Sequence, residues 1–441
     1  PPRSPFGHLA GVISLILFLK SEQLLSSLSV ETFLTNPYNQ KYMFKHLLKF
    51  FLLSQLILII AWFLGEKFIP IGSETFLGKN LGESVDNSLL WSRANFDGVH
   101  HISIARSGYG YLQQAFFPFY AKLISFSQPL FKNFILSGIF VSLISFFLSL
   151  IAFADLLKLE GEKEETIKKS LLFLILFPTS FYFSFVYTES LFLFLVLLSF
   201  WLAKKQQWLL SGLAAGLASY TRLTGIFLLP ALLYQYNQTQ AARGMKERFA
   251  AVKKDFFSRF NLNYFRYFVR TRINHFKNLV FILFSSWGLL LYMRFLKNTT
   301  GDPLYFIRVQ PDFGAQRSIG RIIMIYQVFW RYLKMIFTVN PRSFIYFDVW
   351  VELVITLIFL YLLLFLWFRT KNYRPWLIFS TLAYLLPSLT GTFSSMPRYV
   401  LACFPCFLIL AKMKLPKVLY FISGLGFLIF SGLFMRGYWI A

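Results

Sequence analysis

Five charged side chains stand beside small or aromatic residues at the ends of apolar runs: Asp97, Glu189, Arg222, Asp302 and Arg398. Ionisable groups at such positions are costly, and they point to function with a nearby partner. An arginine meets a phosphate through two parallel hydrogen bonds. A carboxylate accepts the proton of an attacking hydroxyl. Together these groups suit a ligand that carries both a phosphate and sugar-like hydroxyls. Each also has a plainer reading. Asp97 could cap a short helix, Glu189 and Arg222 could form a structural ion pair between helices, and Arg398 could anchor a helix end at the headgroups. His100 and His101 are adjacent, but metal sites need three or four converging ligands. Substrate contact or core packing is the better reading for both, and neither a metal nor a cofactor is expected.

The elements that must position these residues are apolar helices. Of 441 residues, 56% are hydrophobic and 14% charged, against roughly 25% charged in soluble domains. Apolar runs recur along the whole chain, and a span needs roughly 20 such residues. The reading is all-α and polytopic, with about eleven spans: 46–66, 133–157, 170–187, 189–203, 207–220, 223–236, 278–296, 348–368, 375–391, 399–411 and 417–435. Closely spaced pairs among them read as broken or re-entrant helices, which a bilayer tolerates where protein covers the backbone.

Charge sets direction. The net charge of +25 comes from Lys and Arg gathered in short loops, as the positive-inside bias expects, so membrane lipids and not nucleic acid are the expected partner. The basic stretch 237–277, with Arg243, Lys246, Arg248, Lys253 and Lys254, is the strongest cytoplasmic signal. Counting outward, the long loops at about 68–132 and 297–347 lie outside, and the five charged residues share that face. Residues 1–42 read as an extension ahead of a start at Met43, with a single multi-span domain over 43–441. Cys403 and Cys406 lie inside an apolar run and read as small-residue helix packing.

At these positions the sequence resembles a known family. Phe96-Asp97-Gly98-Val99-His100, Ile104-Ala105, Gly108-Tyr109 and Phe116-Phe117-Pro118 resemble the first-loop signature of the glycosylphosphatidylinositol mannosyltransferase that adds the second mannose, and of its prokaryotic relatives. Pro178, Tyr187-Thr188-Glu189-Ser190, Thr221-Arg222-Leu223-Thr224-Gly225, Gly301-Asp302-Pro303 with Phe306 and Gln310, and Pro397-Arg398-Tyr399 follow in the family's order. The sequence departs from the pattern at Phe96, where Trp is expected, and at His101, where an aromatic is expected.

The resemblance implies a C-type glycosyltransferase with a long first outer loop that carries the active-site Asp. Its donor would be a lipid-phosphate-linked sugar, such as polyprenyl- or dolichyl-phosphate mannose, and its acceptor a glycan or glycolipid. Asp97 would be the catalytic base, transfer would invert the anomeric carbon, and His100, His101, Glu189, Arg222, Asp302, Gln310 and Arg398 would contact substrates. The setting would be the extracytoplasmic face of a prokaryotic plasma membrane rather than the endoplasmic reticulum. Two rivals stand beside this reading: a lipid-linked glycan transferase of the same architecture, and a polytopic transporter or flippase. Against the second, the two halves of the chain show no clear similarity, whereas many transporters carry internal repeats.

Overall fold

The computed structural model describes residues 37–440 apart from 76, 84–85, 253–261, 314–316, 318–321 and 414–415. Most of the expected N-terminal extension therefore lies outside the described residues. By internal contacts the chain forms two units, Pro1–Lys49 and Phe50–Ala441. The described part of the first is the opening of α1 (Pro37–Phe68). The second holds the remainder of α1 and every other element.

The described residues are helical and contain no strand. In chain order the longer helices are α2 (Asp97–Ser107), α3 (Pro118–Phe131), α4 (Phe134–Leu159), α5 (Glu164–Leu176), α6 (Glu189–Lys204), α7 (Trp208–Thr221) and α8 (Leu228–Val252). They continue with α9 (Leu262–Leu283), α10 (Trp287–Thr300), α11 (Ile325–Thr338), α12 (Phe344–Arg369), α13 (Arg374–Ser388), α14 (Pro405–Lys412) and α15 (Val418–Met435). Five stretches are long and apolar enough to cross a membrane: Met43–Phe68, Phe134–Leu159, Arg272–Thr300, Phe344–Arg369 and Val418–Met435. Five of the expected spans fall on them. This is an all-α membrane protein.

Five of the other six expected spans fall on shorter helices, and the sixth, 223–236, falls on a 3₁₀ turn and the first part of α8, whose remaining residues are rich in polar side chains. α6, with 16 residues, is about 24 Å long at 1.5 Å per residue, short of the roughly 30 Å hydrocarbon layer. These helices are interrupted, and the sequence shows why. Pro178 cannot extend α5, and the chain passes through a 3₁₀ turn at Ser180–Ser184 before α6 begins at Glu189. α7 ends at Thr221, Arg222 is extended, and a 3₁₀ turn at Leu223–Phe227 leads into α8. α13 ends just beyond Pro387, and a strap over 389–395 leads to the short turn Met396–Tyr399, with Pro397 in its first turn where its missing N–H costs nothing. Each break delivers one charged residue, in order Glu189, Arg222 and Arg398.

The basic stretch 237–277, expected as a loop, is helical in α8 and α9 wherever its backbone is described. Over 237–252 its Ala, Gln, Lys, Arg and Glu content favours helix without an apolar face, and over 262–277 apolar residues recur at helical spacing. The stretches expected as outer loops hold helices too: α2 and α3 lie in 68–132, and α11 in 297–347.

The interrupted helices pack closely. α4 lies against α6, α6 against α7, and α7 against α10. At the last crossing Gly288 and Gly216 meet so closely that a Cβ built on Gly288 would lie 2.0 Å from the Gly216 carbonyl oxygen. Overpacking usually costs 1–3 kcal/mol, and here the obstacle is backbone. Gly288→Val is expected to destabilise the protein by at least about 2 kcal/mol in detergent unfolding. Gly424→Ala, whose Cβ would meet only Leu176 at 3.7 Å, is expected to leave stability unchanged.

Candidate active site

Asp97 opens α2, and its placement begins one residue earlier. Phe96 adopts φ 55°, ψ −115°, a region that a non-glycine residue occupies only when its surroundings hold it there. They do so on both sides. The Phe96 ring packs edge-on against Phe434 and Trp439, with centroids 5.2 and 5.0 Å away. Asn95 is buried, with its Oδ1 accepting the Gly78 N–H at 2.9 Å and its Nδ2 donating to the Phe434 carbonyl at 3.2 Å. The Tyr187 hydroxyl donates to the Asn95 carbonyl at 3.0 Å and accepts the Asp97 N–H at 3.2 Å. The segment leading into α2 is thus pinned to the break before α6.

Four charged side chains from four elements form an alternating row. Arg398 Nη1 donates to Asp97 Oδ2 at 2.6 Å. Its Nε lies 3.4 Å from Glu189 Oε1. The same oxygen accepts from Arg222 Nη1 at 2.6 Å, and that nitrogen also reaches Thr188 Oγ1 at 3.4 Å. Aromatic faces surround the arginines. The Tyr399 ring lies 5.3 Å from the Arg398 guanidinium and 5.0 Å from that of Arg222, while Tyr187 and Trp439 lie 5.4 and 5.5 Å from Arg398. Such contacts favour a planar, weakly hydrated guanidinium over an ammonium.

These residues line a cavity of about 950 Å³. Its polar wall holds Asp97, His100, His101, Glu189, Arg222, Gln310, Arg317 and Arg398, and Phe192, Leu223, Phe306, Ala383 and Leu386 are among the apolar lining. Gln310 Oε1 accepts from Arg317 Nη1 at 2.9 Å. His100 stacks on Phe116 with centroids 5.0 Å apart. His101 meets Phe116 and Tyr120 edge-on, each at 5.1 Å. Asp302 does not join the group. It pairs with Arg308 at 2.7 Å and accepts the Leu304 N–H at 3.0 Å, tying down its own loop, and it is not among the residues lining the cavity.

Seven of the residues singled out by sequence therefore line one cavity, and Asp302, selected as a charge beside an apolar run and as part of a motif, stands apart from it. Sequence reading gives no site role to Thr188 or Tyr399, which it quotes only within motifs, and misses Arg317 and Trp439; all four line the cavity. Nothing in the sequence singles Arg317 out, because the stretch 297–347 also holds Lys297, Arg308, Arg321, Arg331, Lys334 and Arg342.

Electrostatics separates the titratable groups. Burial works to raise the Asp97 carboxyl, but Arg398 outweighs it by charge and hydrogen bond, so Asp97 sits below the ordinary carboxylate value. Burial lowers His100, and it pushes His101 down to about 3. At neutral pH the site holds an ionised Asp97 beside neutral imidazoles.

Residues 118–251 match the model of glycosyltransferase family 87. The match runs from α3 to the end of α8 and takes in Glu189 and Arg222; Asp97 and Arg398 lie outside it. It supports a membrane glycosyltransferase of the C-type superfamily, with a sugar donor and an acceptor as substrates. None of the curated proteins matches the chain, and none of the solved structures does.

The His101 shift carries a stability prediction. Unfolded His titrates near 6.5 and folded His101 near 3, so between those values the unfolded chain holds a proton that the folded one excludes. Stability conferred by the neutral ring is complete above about pH 6.5 and falls towards pH 3, by up to about 1.4 kcal/mol per unit. Unfolding at pH 7.5 and 5.0 should show a loss of about 2 kcal/mol that His101→Phe largely removes. Equal pH slopes for the two proteins would contradict a buried neutral imidazole.

Proposed function

We propose that this protein transfers a sugar, mannose first among candidates, from a polyprenyl- or dolichyl-phosphate donor to a hydroxyl of a glycan or glycolipid acceptor. The reading takes the chain as a fold of about eleven spans, with the cavity on the extracytoplasmic face of a prokaryotic plasma membrane. The observation that carries it is the convergence of Asp97, Arg398 and Arg222 on one cavity whose remaining lining is largely aromatic and aliphatic. The family 87 match supports the glycosyl-transfer class, and the first-loop resemblance supports Asp97 and the lipid-linked donor.

Chemistry follows from charge. An acceptor hydroxyl attacks the anomeric carbon, the bond from that carbon to the donor phosphate oxygen breaks, and the phosphate leaves with the electron pair. The hydroxyl proton passes to Asp97. A single displacement of this kind inverts the anomeric centre. Paired with Arg398, Asp97 is a weak base. A phosphate drawing the Arg398 guanidinium towards itself would weaken that pairing and raise the basicity of Asp97 as the leaving group is stabilised. The donor carries its own activated bond, so an extracytoplasmic site needs no nucleotide sugar.

Asp97→Asn keeps the side chain's size and a hydrogen-bond acceptor for Arg398 but removes the base. Transfer from labelled polyprenyl-phosphate mannose is expected to fall by about 10²–10⁴-fold in a variant that still folds but is less stable, because buried Arg398 loses one charged partner and keeps Glu189. Normal turnover by that variant would remove Asp97 as the base.

A further inference from the structure

α12 carries an acidic side chain well inside its membrane-crossing length, Glu352, which is buried and lines no part of the cavity. A carboxylate there is costly. One needed only for packing would be better replaced by an apolar residue or by Gln. Both of its oxygens are used as acceptors. Oε1 accepts the backbone N–H of Ser395 at 3.2 Å, and Oε2 accepts the hydroxyl of Tyr332, which reaches it from α11. The Tyr332 oxygen in turn accepts the Phe393 N–H at 3.1 Å and lies 3.3 Å from Thr392 Oγ1. The bonds form a directed chain: Phe393 N–H to Tyr332, Tyr332 O–H to Glu352, and Ser395 N–H to Glu352 from the other side. Both ends of that chain fall on one strap.

The strap is the connection from α13 to the turn bearing Arg398. Ser395 sits at φ 69°, left-handed for a residue with a Cβ, so this conformation must be held by its neighbours. Its carbonyl accepts the N–H groups of Arg398 and Tyr399 at 3.1 and 3.0 Å. α11 and the chain two residues ahead of it secure the earlier part: the Ile323 N–H donates to the Leu389 carbonyl at 3.1 Å, and Arg331 Nη1 donates to the Gly391 carbonyl at 3.0 Å. Ser395 N–H and Tyr332 O–H meet different oxygens of Glu352, and an amide would place an NH₂ donor at one of those two positions.

We propose that Glu352, through Tyr332, is a positioning residue that fixes the strap and thereby sets Arg398 against Asp97. The kinetic form of this claim rests on the glycosyl-transfer reading above; the structural form does not. A misplacement of about 1 Å can cost on the order of 10²-fold in rate.

The test compares wild type, Glu352→Leu, Glu352→Gln, Arg398→Lys and the Glu352→Leu/Arg398→Lys double variant in lipid nanodiscs, in two measurements. In sugar transfer, Glu352→Leu should lower kcat by about 10²-fold with donor KM changed less than about threefold. In the Arg398→Lys background the same substitution should cost less than about threefold more, because both changes act on one device. Losses that multiply instead would overturn the role. Glu352→Gln, nearly isosteric and keeping one acceptor, should fall between wild type and Glu352→Leu.

The second measurement needs no activity. Thr390, half-buried on the same strap and lining the cavity, is replaced by Thr390→Cys, and its reaction with a membrane-impermeant thiol reagent is timed. Cys403 and Cys406 are fully buried and give little background. Release of the strap in Glu352→Leu should speed labelling by about tenfold or more, as local opening exposes what the latch protects. An unchanged labelling rate in both Glu352 variants overturns the proposal. If the wild type transfers no sugar, the glycosyl-transfer reading fails and the labelling result alone decides Glu352.

Discussion

One oxygen of Glu189 is shared by two arginines, and the site is arranged around that sharing. Glu189 is nearly sealed from solvent, with its side chain 3% exposed, and its Oε1 faces Arg222 on one side and Arg398 on the other. A buried charge without a partner is strongly destabilising, and removing one member of a buried pair costs about 3–5 kcal/mol. Three helix breaks must therefore converge: the start of α6, the end of α7 and the turn before α14. Once Arg398 is held there, Asp97 finds it 2.6 Å away, and the segment leading into α2 acquires its place.

The broken helices follow from the same constraint. A continuous helix at any of these positions would leave its charged residue on a helix face partway through the bilayer. Proline, an extended arginine and short 3₁₀ turns end each helix where its side chain can reach the shared centre. Freed backbone groups are tolerated at membrane depth where protein covers them. Here the aromatic rings of Tyr182, Tyr187 and Tyr399 provide part of that cover and also take up the guanidinium faces.

Much of this is legible in the residues. Apolar runs of sufficient length mark the five long helices, and Asp97, Glu189, Arg222 and Arg398 stand out because charge is scarce beside such runs. Asp302 looks the same by that criterion. Its local capping and its pair with Arg308 depend on a turn geometry that composition does not carry. Glu352 escapes notice because it lies mid-span with no motif about it; its meaning comes from Tyr332 and Ser395, both distant in sequence. The basic stretch 237–277 reads as loop when its charge is the guide; its helix shows only in the helix-forming composition of 237–252 and the amphipathic spacing of 262–277.

The claim on which the functional account rests is the class of donor. Proteoliposomes containing the wild-type protein would be given labelled mannose either as polyprenyl-phosphate mannose or as a nucleotide sugar, with glycolipid and glycan acceptors present. Covalent label on an acceptor from the lipid-linked donor alone is the result the account predicts. Label arriving from the nucleotide sugar, or lipid-linked sugar crossing the bilayer with its bond intact and no product formed, would contradict it.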